Sequence, residues 1–88
     1  MNSIRFYGDG WDDYIYWQNQ DKKTLKKLNK LFEDIARNGN KGLEHPEQLK
    51  GNLSEWWSRQ IDEKNRLVYK IEDDTIIVLQ CKNHYSDR

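Results

Sequence analysis

Three features of the chain predict a two-layer α+β domain. A short alternating segment opens it, two helical stretches divided by an aspartate follow, and three β-rich segments joined by short polar turns close it. The opening "SIRFYG" alternates and ends on glycine, which predicts a first strand over residues 3–8. Asp9 can cap a helix, with Asp12 suited to its first turn. Trp11, Tyr14, Ile15 and Gln18 then recur at helical spacing, so this helix runs to about Asn19. Asp21 reads as a second cap, and Leu25, Leu28, Leu31, Phe32 and Ile35 form an apolar stripe on the helix it opens. Asn38-Gly39 is a stop signal.

Residues 40–54, with the only proline, read as a loop. "EWWSRQI" (55–61), "RLVYKI" (66–71) and "TIIVLQCK" (75–82) read as strands, and their short connections make an antiparallel meander. No repeat or linker interrupts residues 1–88, which are expected to form one domain. If Asp62 and Asn65 flank a two-residue turn, Ile61 faces Arg66 and Arg59 faces Val68. Arg59 and Arg66 then share a face, and a one-residue slip separates them.

Composition narrows the function. The 88 residues are 34% charged yet include four Trp, five Tyr and two Phe, enough ring area to fill a small core. One cysteine, Cys81, rules out an internal disulfide, and no spacing suggests a zinc site, so no cofactor is expected and reducing cytoplasm is the expected setting. No stretch resembles a signal peptide or is long enough to span a bilayer, so no membrane role is expected. A net charge of zero argues against a uniformly basic nucleic-acid binder, but the signs are segregated. Five lysines and no acid lie between Lys22 and Lys30, while Glu72, Asp73 and Asp74 cluster.

Individually, the polar candidates are ordinary: Glu47 in a loop, His84 near the end, Arg59 and Arg66 in strands. Phosphate-loop and local nucleophile motifs are absent. Together, however, a glutamate, a histidine, two arginines, lysines and a tyrosine meet the needs of RNA cleavage by its own 2′-hydroxyl without a metal. One group removes the 2′-OH proton and another protonates the departing 5′-oxygen. Cations neutralise the crowded phosphate, and a ring holds a base by stacking.

At these residues the chain resembles the YoeB branch of the RelE-like toxins, bacterial ribosome-dependent mRNA interferases of toxin–antitoxin pairs. The signatures are "WDDYIYWQ" (11–18), "PEQLKGNLSEWWSRQI" (46–61), "RLVY" (66–69) and "CKNHY" (81–85), in order along nearly the whole chain. The resemblance implies a small antiparallel sheet with two N-terminal helices on one face. It also implies Glu47 as general base, Arg66 as transition-state stabiliser, His84 as general acid and Tyr85 as the ring that orders substrate. Lys50 and Arg59 match basic positions that bind RNA or ribosome. A YefM-like antitoxin, the 70S ribosome and mRNA are the implied partners, with a homodimer possible.

The chain departs from that pattern in places. Gln60 stands where relatives often carry a second arginine, Lys82 and Asn83 replace Arg-Tyr, and Ser86, Asp87 and Arg88 extend past the tyrosine. The competing function is a toxin of the same scaffold that binds without chemistry, for example a gyrase inhibitor. The simultaneous presence of Glu47 and His84 counts against it.

Overall fold

Leu28, Leu31, Phe32 and Ile35 are all buried, so the apolar stripe seals one side of its helix as the spacing requires. What it seals against is a sheet. The computed structural model describes residues 3–83. In chain order these form β1 (Ser3–Phe6), α1 (Gly10–Gln20), α2 (Lys22–Asn38), β2 (Glu47–Gln48), a 3-10 turn (Gly51–Leu53), β3 (Trp57–Gln60), β4 (Arg66–Glu72) and β5 (Thr75–Gln80). Asp21 caps α2 as expected, accepting from the backbone N–H groups of Lys23 and Thr24. Asp9 precedes α1 but makes no capping bond through its side chain.

The five strands form one sheet in the order β1-β5-β4-β3-β2. The β2–β3, β3–β4 and β4–β5 pairs are antiparallel, whereas β1 joins the other edge parallel to β5. Both helices lie on one face. There Trp17, Leu28, Leu31 and Ile35 meet Leu67, Tyr69, Ile76 and Val78 of the sheet. Among the described residues the opposite face carries no α-helix; its smaller apolar floor is Leu49, Trp56, Val68 and Ile77. One face is structural, and the other is open.

Two contacts lock α1 to the end of β5. Trp17 Nε1 donates to the Cys81 carbonyl at 2.7 Å, and the Cys81 N–H donates to Asp13 Oδ2 at 3.0 Å. The two side chains are four residues apart and so lie above one another on the helix. This grip requires α1 to begin tight against the sheet. A Cβ on Gly10 would run into the carbonyl oxygen of Val78. Gly10→Ala is therefore expected to cost about 1–3 kcal/mol, the usual penalty of overpacking. Urea unfolding measures it, and an unchanged midpoint would mean that α1 can retreat without loss.

Candidate active site on the open face of the sheet

Glu47 reaches the open face because residues 47 and 48 pair with β3. Glu47 lies opposite Ser58, and Gln48 opposite Trp57. A loop was expected here, and a two-residue edge strand following Pro46 is found instead. Proline is tolerated there because an edge strand has one side with no ladder to fill.

Arg66 opens β4 on the same face. Its Nε and Nη2 donate to Ser58 Oγ at 3.1 and 2.8 Å, and Nη2 stands 3.8 Å from Glu47 Oε2. The serine thus aims the guanidinium along the sheet toward the carboxylate. The Glu47 side chain is 67% exposed and that of Arg66 only 15%. The ion pair is therefore weak as a stabiliser. Its geometry matters more: a mostly solvated carboxylate beside a held cation can be parted by an incoming phosphate. Lys50 is exposed, three residues beyond Glu47.

The chain after β5 returns to this point. Asn83 adopts a left-handed conformation (φ 63°), which asparagine tolerates better than most residues. Its carbonyl accepts the Arg66 backbone N–H at 3.0 Å, and its own N–H donates to Asn65 Oδ1 at 2.6 Å. Gln80 Nε2 donates to the Lys82 and Asn83 carbonyls. Asn65 is held in turn by Asp62, which accepts from its backbone and side-chain N–H groups and from Lys64. Burial pushes the Asp62 carboxyl up, but the bonds from Asn65 and Lys64 outweigh it and hold the group below the usual range. These supporting residues, Ser58, Asn65, Gln80 and Asn83, were not among the residues expected at the site. Alternation alone could not have found Ser58, because the expected register put it on the face opposite Arg66. His84 and Tyr85 lie outside the described residues.

Arg59 is the correction. The expected two-residue turn is not formed; the Ile61 and Asp62 N–H groups both donate to Asn65 O, and the register pairs Gln60 with Arg66 and Arg59 with Leu67. That is the one-residue slip, and it sends Arg59 through to the helix side. Its side chain is 0% exposed. Nε donates to the Tyr69 hydroxyl at 3.2 Å. Nη1 donates to Asp34 Oδ2 at 2.5 Å and to the Leu43 carbonyl, and Nη2 to the Gly39 and Lys41 carbonyls. Every N–H of the guanidinium is used, so Arg59 offers none to RNA or ribosome. It pins the segment between α2 and β2. The guanidinium holds the Asp34 carboxyl below the usual range, whereas burial raises the Tyr69 phenol despite the arginine beside it.

Among the described residues no three His, Cys, Asp or Glu side chains converge to hold a metal ion. None of the described helices is long and apolar enough to cross a membrane.

Residues 6–85 match the sequence model of a family described as the YoeB-like toxin of bacterial type II toxin–antitoxin systems. The chain is 49% identical to Toxin YoeB of Streptomyces coelicolor over 82 residues, covering 93% of this chain and 98% of that one. Its fold superposes with a TM-score of 0.88 on the toxin in the heterotetrameric YoeB–YefM toxin–antitoxin complex of Staphylococcus aureus. The two are 44% identical, with 93% of this chain and 95% of that chain covered. The YoeB dimer of the same organism gives 0.87 at 44% identity, with 94% and 97% covered. With its two helices on one face of a five-stranded sheet, the chain belongs to the YoeB-like toxin family of bacterial type II toxin–antitoxin systems.

Proposed function

We propose that this toxin is a ribosome-dependent endoribonuclease that cuts mRNA through the RNA's own 2′-hydroxyl, without a metal. The reading is carried by one observation: Glu47 and Arg66 stand 3.8 Å apart on the open face, beside the backbone of the residue that precedes His84. In this mechanism Glu47 takes the 2′-OH proton and the 2′-oxygen attacks phosphorus. The bond to the 5′-oxygen breaks, and His84 protonates the leaving oxygen. The products are a 2′,3′-cyclic phosphate and a 5′-hydroxyl. Arg66, parted from Glu47 by the phosphate, neutralises charge that grows in the transition state. Tyr85 stacks on a base, and exposed Lys50 attracts the strand.

Ribosome and mRNA are needed together because the described site is open and solvated. Bound substrate supplies the in-line geometry and the anion that keeps the histidine charged. An antitoxin partner fits the same reading. The Staphylococcus aureus relative is solved with YefM, and a YefM-like segment with acidic side chains would meet Arg66 and cover the face. A homodimer like that of the relative, and a cytoplasmic site of action, complete the proposal.

The experiment is cleavage of translated mRNA with and without ribosomes, comparing the parent with His84→Ala. Discrete cuts that need the ribosome, slowed about 10²–10⁴-fold by the substitution, are expected. The single-turnover rate should fall as pH rises through the titration of the histidine. A flat profile with chemistry rate-limiting removes His84 as the acid, and cleavage restored by adding a divalent ion to stripped toxin removes the metal-free mechanism.

A further inference from the structure

The open face holds a second feature, which the chemistry above does not use. At the far end of β4 from Arg66, a cavity of about 310 Å3 is lined by Arg5, Tyr7, Trp56, Lys70, Glu72 and Ile77. That volume is at the lower end of small-ligand pockets, about 300–1,000 Å3. Its aromatic wall is two near-parallel rings, Tyr7 and Trp56, with centroids 6.4 Å apart and planes inclined by 23°. Trp56 is buried in the floor of the face, whereas Tyr7 is 62% exposed. Lys70 Nζ lies 4.9 Å from the Trp56 ring centroid and pairs with Glu72 at 3.3 Å and Glu55 at 4.0 Å.

We propose that this cavity is a subsite for an unpaired nucleobase, an inference that rests on the nuclease reading above. An exposed ring set parallel to a buried one offers a flat apolar surface, and every base has a π-face to stack on it. Arg5 supplies a cation for the neighbouring phosphate, and Glu72 an acceptor for an exocyclic amino group. The paired lysine and glutamates leave the cavity with little net charge. It therefore favours a flat ring over a string of acidic side chains, the other occupant that a toxin surface could attract. Lys70 is four residues from Arg66 on the same face, about 13 Å along the strand. A stacked strand covers that span in about four nucleotides at ~3.4 Å each. The base can thus come from the strand being cut or from ribosomal RNA nearby.

The test uses full-length toxin in a Glu47→Gln background, so that RNA bound to it stays intact. Binding of 2′-O-methyl RNA oligonucleotides and of 70S ribosomes is measured with Tyr7→Ala and Tyr7→Phe. Loss of one stacked base predicts about 5- to 150-fold weaker binding for Tyr7→Ala, restored by Tyr7→Phe. If an abasic residue a few nucleotides from the cut abolishes the difference, the base belongs to the substrate strand. If oligonucleotide binding is unchanged but ribosome binding falls, it belongs to ribosomal RNA. Unchanged binding to both overturns the subsite, as does weakened binding only of an acidic peptide. Parallel cleavage by toxin with Glu47 intact separates the failures. A parent that cuts while Tyr7→Ala binds normally loses only the subsite, and a parent that never cuts loses the nuclease reading.

Discussion

Glu47→Ala is expected to slow cleavage of ribosome-bound mRNA by about 10²–10⁴-fold in single turnover at saturating ribosome, with little change in binding. The expectation rests on where the carboxylate sits. It is held on an edge strand opposite Ser58, largely solvated, and 3.8 Å from a guanidinium that Ser58 orients. A carboxylate open to solvent on that face can be reached by the 2′-hydroxyl of bound RNA, whose proton it would take as general base. Removing it leaves Arg66 on Ser58, so the phosphate still has its cation. Glu47→Gln separates two roles. The amide keeps size and hydrogen bonding but cannot take the 2′-OH proton, so it should be as slow as alanine. Near-parent rates for the glutamine variant would make Glu47 a positioning residue instead. Arg66→Ala should lower the chemical step too; weaker binding alone would assign it to grip rather than to transition-state charge.

The helices were legible because their signals are local. The α2 stripe repeats every three to four residues, and Asp21 stands where a cap must. The strands over 66–71 and 75–80 were legible as apolar runs between turn residues. Their register was not. Asp62 accepts from the Lys64 and Asn65 N–H groups, and this side-chain turn leaves residues 61–65 between the last pair of the hairpin. One added position moves every β3 side chain to the other face. Glu47 and Arg66 come together through pairing across β2, β3 and β4, which sequence spacing does not encode. Nor could spacing place Asp34 against Arg59, because a buried arginine looks like any other until its partner is known.

That partner supplies the largest expected change in stability. Among the described residues, Asp34→Ala removes the one carboxylate on a guanidinium that is 0% exposed and otherwise meets carbonyls and a phenol. Breaking a buried pair from one side costs about 3–5 kcal/mol, a large share of the ~5–15 kcal/mol that holds a domain folded. Arg59→Met should cost less. The Asp34 side chain is 10% exposed and keeps the Leu43 and Asn38 donors, so it can rehydrate where the arginine cannot. The double variant should be more stable than the two single losses added, because the second change removes a charge that the first stranded. Acid provides an independent check. The Asp34 carboxyl is held below its ordinary value of 3.8, first by the bond from Arg59. A depressed folded pKa contributes stability that is full above the unfolded value and is lost as pH falls through the folded one. The gap between parent and Asp34→Ala in urea unfolding should therefore be constant near neutrality and narrow below about pH 3.8. A gap that stayed constant down to pH 2.5 would mean that the pair is not what the substitution removed. The effect reaches the open face as well. Arg59 holds the carbonyls of Gly39, Lys41 and Leu43, and that segment runs directly into Pro46 and Glu47. Arg59→Met, assayed well below its melting temperature, should then cut more slowly while binding ribosomes normally, because the carboxylate loses its fixed approach to Arg66.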